Sequence, residues 1–276
     1  MKIKIYGSRG TIAYFNRLNP RRGGNTSCVR IDTGGRVIVL DCGTGIAQLY
    51  FDALKHTSGA AGLCLDILLG HLHLDHIIGL TAFPPIYNKS NNIRIFTKSR
   101  NEQTLASQIF GVFKPPYWPV DLAAMNRAEL IEINDADAFM LNESIKVTPF
   151  ESEHSDGTTA FRIEGEKTAI YLLDYEFGRN AEKDNKLIGY CKNADVIIFD
   201  CSYLPEDYPS KRGWGHSTLE SGMVLAELSN CKRMIFSHFS YEYSDESIRS
   251  LAKRVRNNKQ YYLAFDGMEL QIEDKD

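Results

Sequence analysis

The chain has 276 residues, of which 43% are hydrophobic, and this is enough apolar content for a substantial core. Its formal net charge of −3 argues against a general polyanion-binding surface, because such surfaces depend on clustered lysines and arginines. No apolar run reaches about 18 residues and the N-terminus alternates like a strand, so we expect a cytoplasmic protein with no membrane partner.

Apolar segments of strand length recur along the whole chain. In order they are "KIKIYG", "CVRID", "RVIVLDCG", "CLDILLGH", "NIRIFT", "IKVTPFE", "TAFRIEG", "TAIYLLDY", "DVIIFDCS", "RMIFSHFS" and "QYYLAFDG". Helical spacing appears in three segments between them, "GIAQLYFDALKH", "STLESGMVLAELSN" and "DESIRSLAKRVRNN". Many strands with a few helices between them predict a sheet sandwich covered by helices. We expect one domain over residues 1–276.

Two of the connecting regions carry more detailed predictions. The second helical segment has Ser217 and Glu220 in capping-box register. Its predicted buried face consists of Leu219, Met223, Val224 and Leu228. The stretch "FGVFKPPYWPVDLAAMN" is expected to be a long ordered loop.

Cysteines and arginines outside any recognisable motif suggest simple structural roles. The cysteines lack CxxC spacing and several lie in apolar segments, which predicts buried reduced thiols and a reducing compartment. They are Cys28, Cys42, Cys64, Cys191, Cys201 and Cys231. Arg9, Arg17, Arg21 and Arg22 cluster near "NPRRGGN" and could contact a phosphate, although solvated loop charges are the commoner explanation.

Four of the apolar runs end at a side chain that can bind a metal ion. The runs "LLG", "YLL", "IIF" and "IFS" lead into His71, Asp174, Asp200 and His238, respectively. Buried strands deliver functional groups at their ends, where loops open to solvent. We therefore expect these four residues to converge on one edge of the sheets.

The segment "LLGHLHLDHIIGL" contains three histidines and one aspartate within six positions. An extended backbone would project His71 and His73 to one side, while Asp75 and His76 in a tight turn would face a second point nearby. Such clustering beside a core costs free energy unless something pairs with the groups. Imidazoles and carboxylates are ligands for zinc, manganese or iron, so the motif predicts a metal site. The remaining candidate ligands are His154, Asp174 and His238.

With the HxHxDH motif and these later residues, the chain resembles the metallo-β-lactamase superfamily. The resemblance implies a four-layer αββα sandwich with two divalent ions at one edge, zinc first and manganese or iron as alternatives. It assigns one ion to His71, His73 and His154. It assigns the other to Asp75, His76 and His238, with Asp174 as the bridge, and Asp75 is also expected to be catalytic.

Several further motifs resemble the ribonuclease Z and cyclic-nucleotide phosphodiesterase branch of that superfamily. They are "YGSRGT", "RRGGNTSCVRID", "LDCGTG", "GWGHSTLESG" and "MIFSHFSYEYSDE", in this order. The resemblance implies that His216 donates a proton to the leaving alkoxide. Asp41 and Asp200 are expected to support the site from behind the ligands, although an Asx turn and a plain buried carboxylate explain them equally well.

The interval between His154 and Asp174 bears on the substrate. Ribonuclease Z enzymes carry a long basic arm there, whereas this interval reads as two strands joined at "EGEK". The chain looks most similar to the small anti-Pycsar-type phosphodiesterases, which implies hydrolysis of 3′,5′-cyclic nucleotides, a role in anti-phage signalling or its evasion, and a homodimer. The candidate substrate-binding residues are Asn25, Tyr117 and Trp118, with Tyr117 or Trp118 stacking a base.

Two other functions stay open at this point. The first is a ribonuclease Z-like RNA nuclease, which would bind polynucleotides in a strongly salt-dependent manner. The second is a metal-binding sensor that binds its ligand tightly without turnover. The full ligand set and His216 favour an enzyme acting on a small phosphodiester, with no stable nucleic-acid partner.

Overall fold

The structure, a computed structural model, describes residues 1–15, 21–56, 62–100, 103–152, 154–155 and 157–273, with backbone only for residues 54–56. The described strands form two seven-stranded sheets. The first sheet contains β1 (Lys2–Gly7), β2 (Cys28–Thr33), β3 (Arg36–Leu40), β4 (Cys64–Leu68), β5 (Asn92–Thr97), β6 (Glu129–Glu132) and β14 (Glu269–Gln271). The second contains β7 (Phe139–Asn142), β8 (Ile145–Ser152), β9 (Thr158–Glu164), β10 (Thr168–Leu172), β11 (Val196–Asp200), β12 (Met234–Ser237) and β13 (Tyr261–Leu263).

Strand direction differs between the two halves of each sheet. The first sheet has the order β14-β1-β2-β3-β4-β5-β6, and its strands from β3 to β6 are parallel. The second has the order β13-β12-β11-β10-β9-β8-β7, with β10 to β13 parallel. Leu172 of β10 pairs with Phe199 of β11, and Phe199 pairs with Phe236 of β12. The segments that follow these three parallel strands therefore begin side by side at one edge.

Helices cover the outer face of each sheet. They are α1 (Ile46–His56), α2 (Leu74–Ile77), α3 (Leu105–Phe110), α4 (Leu122–Met125), α5 (Ala181–Cys191), α6 (Tyr208–Lys211), α7 (Leu219–Ser229) and α8 (Asp245–Val255), with 3₁₀ turns at Ile78–Ala82 and Pro84–Tyr87. Helices α1 and α3 contact the first sheet, whereas α5, α7 and α8 contact the second. The predicted αββα sandwich is confirmed.

The inner faces of the two sheets share one apolar cluster. Its fully buried members include Ile31, Ile38, Val147, Phe161 and Ile170. Burial of one such side chain contributes about 1.5–3 kcal/mol, so this cluster is the main source of stability for the sandwich. A second cluster fills the space between the first sheet and α1.

The predicted strands are all present, and three further strands were not predicted. These are β6, β7 and β14, with the sequences "ELIE", "FMLN" and "ELQ". Segments of three or four residues are too short for an alternating pattern to show. Strand β14 also depends on pairing with β1 from the opposite end of the chain, which local sequence cannot reveal.

The three predicted helices are confirmed as α1, α7 and α8, but α7 begins differently from the prediction. Its N-cap is Thr218, whose Oγ1 accepts a hydrogen bond from the N–H of Ser221 over 3.3 Å. The hydroxyl of Ser217 instead donates to the carbonyl of Tyr175 over 2.6 Å. The capping-box prediction was wrong because Ser217 binds the loop after β10, and the next hydroxyl caps the helix.

The predicted buried face of α7 is also partly wrong. Val224 and Leu228 are 49% and 53% exposed, respectively. The buried residues of the helix are instead Leu219, Gly222, Leu225, Ala226 and Ser229. The helix lies close to the sheet at Gly222, where a Cβ would be 2.4 Å from the Phe236 ring, so no larger residue fits at that position.

In two other regions, the spacing of apolar residues did not predict the helices that the structure contains. Helix α5, "AEKDNKLIGYC", was not predicted, because its apolar residues are confined to its C-terminal half. Residues 110–126, predicted as an ordered loop, include the end of α3 and the whole of α4. Asp121 caps α4 by accepting hydrogen bonds from two backbone N–H groups.

Arg9 occupies a buried position that the sequence did not suggest. Its side chain is inaccessible to solvent, and its Nη1 donates to the carbonyls of Ser240 (3.2 Å) and Tyr243 (2.7 Å). Its Nη2 lies 3.5 Å from Asp245. Arg9 is therefore neither a solvated loop charge nor a surface phosphate ligand, while Arg17 lies outside the described residues.

The cysteines agree with the prediction of free, mostly buried thiols. All six are free, and Cys64 is the one that is exposed. Burial raises the pKa of Cys28 and Cys42 well above the usual value for a thiol. Within the described ranges, no helix combines the length and apolar character needed to cross a bilayer.

A half-buried carboxylate joins the β13–β14 connection to two N-terminal segments. Asp266 Oδ1 accepts from Ser8 N (3.0 Å) and Oγ (2.9 Å), and its Oδ2 accepts from Asn25 N (2.9 Å). Burial raises the pKa of Asp266 to about 6, although these hydrogen bonds oppose the shift. The unfolded value is about 3.9, so the stability gained from this group is complete below about pH 4 and is lost as the pH rises through about 6.

We expect the difference in unfolding free energy between the wild type and Asp266→Asn to be about 2 kcal/mol larger at pH 4.5 than at pH 7. Urea unfolding at the two pH values measures it. The exposed Asp137→Asn is the matched surface control at both pH values. An Asp266→Asn difference that is the same at both pH values would contradict the assignment.

Candidate functional site

The HxHxDH motif lies where the first sheet ends. Strand β4 stops at Leu68, the chain bends at Gly70, and α2 starts at Leu74 after the extended His73 (φ −62°, ψ 148°). His71 and His73 therefore lie in the connection before α2, whereas Asp75 and His76 project from the first turn of α2. The local geometry agrees with the expected division of the motif into two halves.

Side chains from the second sheet complete the cluster. His154 follows β8, Asp174 follows β10 and His238 follows β12. These positions confirm that the apolar runs end at one edge, because β10 and β12 flank β11, which itself ends in Asp200.

Backbone strain is concentrated at this edge. Thr11, Asp41, Asp174 and His238 all have positive φ, between 53° and 69°. Non-glycine residues in this region cost free energy and persist where the surrounding structure requires them. Here the strain directs four side chains or peptide groups toward the same small volume.

The potential ligand atoms form four overlapping groups, and two of the histidine-rich groups share no residue. The atoms of His71, His73 and His154 lie within 4.8 Å of one another, as do those of Asp75, His76 and His238. Asp174 faces both groups with different oxygens. Its Oδ1 is 3.9 Å from His71 Nε2 and 3.7 Å from His154 Nε2. Its Oδ2 is 3.2 Å from His76 Nε2 and 3.5 Å from His238 Nε2.

Three of the histidines are oriented by a partner outside the cluster. The pairs are His76 Nδ1 with Asp41 Oδ2 at 2.6 Å, His71 Nδ1 with Thr158 Oγ1 at 3.3 Å, and His238 Nδ1 with Ser202 Oγ at 3.0 Å. With Nδ1 engaged, each imidazole presents Nε2 to the centre. Metal-binding histidines in proteins are usually held in this way.

Asp41 is itself held firmly behind His76. Its Oδ2 also accepts from the Tyr171 hydroxyl at 2.7 Å, and its Oδ1 accepts from Gly70 N at 2.9 Å. Asp41 is therefore in direct contact with His76, a candidate ligand, and its supporting role stays a prediction. Tyr171 is a contributor that the sequence analysis missed, because a tyrosine within a buried strand looks like an ordinary core residue.

The residues fit a pair of divalent ions. His71 Nε2, which faces Asp174, is buried without a hydrogen-bond partner, although unpaired buried polar atoms are rare in folded proteins. The donor set of imidazoles and carboxylates suits zinc, manganese or iron. This His/Asp cluster is compatible with dinuclear metal binding.

Charges within the cluster differ between its two halves. Burial lowers the pKa of His71 and of His154, which favours neutral imidazoles that can act as ligands. Burial also opposes the charged form of His238, but Asp174 and Asp200 overcome it and raise its pKa to about 10. The carboxylates of this half thus create a field that favours positive charge.

Asp200 connects the cluster to His216. Its Oδ2 is 2.8 Å from His216 Nδ1 and 3.3 Å from His238 Nδ1, and it accepts from Asp174 N at 3.1 Å. Its Oδ1 accepts from Ser217 N at 3.0 Å. Asp200 therefore orients one candidate ligand, the backbone of another and the candidate proton donor.

His216 is positioned at the solvent side of the cluster. Its side chain is 13% exposed, and burial opposes its protonation, but the adjacent Asp200 raises its pKa above the usual value. Its ring lies 5.1 Å from that of His154 and 5.3 Å from that of His238, measured between centroids. Nδ1 is engaged by Asp200, which leaves Nε2 for a bound molecule.

A cavity of about 450 Å³, here called the catalytic cavity, opens over the cluster. Besides the candidate ligands and His216, the residues lining it include Tyr203, Lys211, Trp214, Tyr241 and Glu242. Trp214 is 60% exposed, and Lys211 Nζ lies 4.7 Å from the centre of its ring. The sequence analysis did not select Trp214 or Lys211, although a tryptophan between two glycines just before His216 was an available signal.

The three residues selected from sequence for substrate binding lie elsewhere. Trp118 packs partly buried against the apolar cluster under the first sheet, and Tyr117 is 83% exposed. Asn25 Oδ1 accepts a hydrogen bond from Thr44 Oγ1 at 3.1 Å. Within the described part of the chain, none of the three lines the catalytic cavity or the cavities beside it.

Two glycines give the histidines their space. A Cβ on Gly10 would lie 2.4 Å from His238 Cε1. Gly215 has φ +85°, and a Cβ there would lie 2.3 Å from His154 Nδ1. Both positions need glycine because the imidazole ring occupies the place of a side chain.

Comparisons with known proteins agree with this site and fold. The sequence model of the β-lactamase superfamily domain matches residues 36–239, most of the chain. A ribonuclease Z from Bradyrhizobium diazoefficiens is 23% identical over 88% of this chain and 93% of its own length. Two solved structures cover 98% of both chains at 17% identity: the metallo-β-lactamase fold protein YhfI from Bacillus subtilis, with a TM-score of 0.72, and unliganded yeast PDE1, with 0.66. The chain therefore belongs to the β-lactamase superfamily, and it is similar to ribonuclease Z in sequence and to metallo-β-lactamase-fold proteins in structure.

Proposed function

We propose that this protein is a dinuclear metal phosphodiesterase that hydrolyses 3′,5′-cyclic nucleotides to linear nucleoside monophosphates. The observation that carries the proposal is the position of Asp174, whose two oxygens face two separate groups of three candidate ligands. Beside them stands His216, held by Asp200 at the floor of a small cavity.

The proposed ligand set follows the two groups. His71, His73 and His154 would hold one ion. Asp75, His76 and His238 would hold the other, with Asp174 between them. When bound, two divalent ions supply positive charge for the phosphoryl oxygens and a water activated at neutral pH. Asp75 would also be fixed by the N–H of Thr11, which donates to its Oδ2 over 2.7 Å.

His216 would donate a proton to the departing ribose oxygen. Asp200 binds its Nδ1, stabilises the imidazolium and so directs a protonated Nε2 into the catalytic cavity. An alkoxide is a poor leaving group unless it is protonated as the bond breaks, and a positioned acid contributes roughly 10²- to 10⁴-fold to the rate. This role needs a fixed histidine next to the reacting phosphate, and it is supported by the hydrogen bond between His216 and Asp200 and by the position of His216 in the cavity lining.

The lining of the catalytic cavity supports Trp214 as the surface that stacks the base. Its ring is exposed in the cavity wall, whereas Trp118 packs on apolar side chains away from the site. Lys211 lies over the same ring and also forms an ion pair with Glu242 over 3.1 Å. An aromatic face beside a lysine suits a nucleobase joined to a phosphate.

The connection between His154 and Asp174 supports a small substrate. Strands β9 and β10 form an antiparallel pair in which Glu164 is opposite Thr168, joined by a short turn. A long RNA-gripping arm has no place in this hairpin. RNA cleavage is the second candidate function, because a relative of this chain is named ribonuclease Z.

The first test is turnover by protein reconstituted with zinc or manganese. We expect linear monophosphate from 3′,5′-cyclic nucleotides, loss of this activity in His76→Ala, and full activity in the exposed control Asp137→Asn. Precursor transfer RNA is assayed in parallel. Cleavage of the RNA without turnover of any cyclic nucleotide would show that the protein is a nuclease. Ligand binding without either reaction would show that it is a sensor.

The proton-donor role predicts a dependence on the leaving group. His216→Ala should lower kcat on a cyclic nucleotide by roughly 10²-fold or more, because the ribose oxygen needs a proton. On bis(p-nitrophenyl) phosphate the same variant should lose far less, since p-nitrophenolate leaves without one. Metal content is measured in both proteins. An equal loss on the two substrates would contradict the assignment, since a purely structural role would affect them alike.

Base stacking is tested by comparing the two tryptophans. Trp214→Ala should raise KM for a cyclic nucleotide by about fivefold or more, with kcat on bis(p-nitrophenyl) phosphate little changed. Trp118→Ala should leave KM unchanged and lower the Tm, because its ring packs on the core. A raised KM in Trp118→Ala alone would show that the 117–118 segment, and not Trp214, contacts the base.

A further inference from the structure

A second cavity, of about 580 Å³, lies outside the catalytic cavity and shares no lining residue with it. We call it the arginine groove. Its lining includes Arg21, Arg22, Arg249, Arg256, Tyr262 and Phe265. One wall is α8, and the opposite wall is the segment from β13 toward β14 together with residues 21–22.

The groove carries positive charge that nearby carboxylates do not balance. Its lining contains four arginines and one acid, Asp245, in a chain whose net charge is −3. Asp245 is already engaged: its Oδ2 accepts from the backbone N–H groups of Arg21 (2.8 Å) and Arg22 (3.3 Å), and its Oδ1 faces the buried Arg9. Among the described residues, no carboxylate pairs with the guanidinium groups of Arg21, Arg249 or Arg256.

The arginines are fixed or clustered in ways that suit an anion. Arg22 Nη1 donates to the carbonyls of Leu263 (3.3 Å) and Ala264 (3.0 Å), so its side chain is held in place. Burial lowers the pKa of Arg22, Asp245 opposes this, and the neighbouring charges of Arg9 and Arg249 lower it further. An anion in the groove would relieve that repulsion. Arg249 in α8 and Arg256, the C-cap residue that follows the helix in αR conformation, are seven positions apart, so they lie on one side about two turns apart.

Aromatic side chains provide the second kind of contact. Tyr261 and Tyr262 are partly buried, and Phe265 is 41% exposed at the edge of the groove. Planar rings beside guanidinium groups bind nucleobases by stacking, whereas a simple inorganic anion gains nothing from them. The volume of the groove is within the usual range for small-molecule sites.

We propose that the arginine groove is a separate binding site for a nucleoside phosphate, with Arg249 and Arg256 binding the phosphate groups and Phe265 contacting the base. Paired guanidinium groups bind phosphate oxygens through short, charge-assisted hydrogen bonds. This site does not depend on the phosphodiesterase reaction, because none of its residues touches the catalytic cavity.

Calorimetric titration of the metal-loaded protein with ADP tests the site. Arg249→Gln/Arg256→Gln should weaken ADP binding by about tenfold or more. The charge-matched control Lys253→Gln/Lys259→Gln changes exposed residues in and after the same helix that do not line the groove, so it should bind as the wild type does. Trp214→Ala should also bind ADP normally. Unchanged binding in the arginine variant, equal loss in the lysine control, or no saturable ADP binding to the wild type would overturn the proposal.

A second titration separates the base from the phosphate. Phe265→Ala should weaken ADP binding by about fivefold or more and leave pyrophosphate binding unchanged. Equal loss for the two ligands, or pyrophosphate binding as tight as ADP in the wild type, would overturn the nucleoside part of the proposal. All arginine and phenylalanine variants should hydrolyse bis(p-nitrophenyl) phosphate at the wild-type rate. These rates distinguish a failure of the proposed binding site from a failure of the proposed phosphodiesterase activity.

Discussion

The carboxylate of Asp200 is the contact on which the candidate site depends. It is fully buried at the end of β11, between two parallel strands whose ends lead into Asp174 and His238. It accepts hydrogen bonds from the backbone of Asp174, Ser202 and Ser217 and lies against the rings of His216 and His238. Hydrogen bonds to so many partners offset the free-energy cost of burying this carboxylate. Loss of one partner would leave part of the buried charge unpaired.

The fold and the site are linked through the geometry of parallel strands. Because β10, β11 and β12 end together, their following residues are delivered to one edge without any long loop. The first sheet contributes the HxHxDH segment to the same edge through β4. Positive φ angles at Asp41, Asp174 and His238 then turn these side chains toward the site. Burial of the apolar cluster between the sheets contributes the stability that offsets the free-energy cost of this strain.

One short segment contacts residues beside both the catalytic cavity and the arginine groove. Arg9 reaches Asp245 on the groove side, while the next residue, Gly10, lies against the His238 ring. Both regions present positive or metal-binding groups to an anion, although the chain as a whole is weakly negative. The overall net charge therefore describes this protein poorly, because function depends on where a few charges are placed.

Much of the fold could be predicted from the sequence, because its strands carry long apolar runs with turn residues after them. The HxHxDH motif and the ends of four runs located the edge where the candidate ligands meet, because buried strands deliver such groups at their ends, and the full ligand set came from the family resemblance. The wrong or missing details depend on tertiary contacts. Ser217 binds a distant loop instead of capping α7, Gly222 replaces large residues at a close approach, and Trp214 faces the cavity while Trp118 does not. A local pattern cannot show which side of a loop faces the site.

The most direct test of the account is the number of metal ions bound per chain, measured by elemental analysis after reconstitution and removal of free metal. The account predicts about two ions for the wild type and for the exposed control Asp137→Asn. It predicts about one or fewer for Asp174→Ala, because that variant removes the carboxylate that faces both groups. A wild type that binds no ion, or an Asp174→Ala variant that binds as much metal as the wild type, would contradict it.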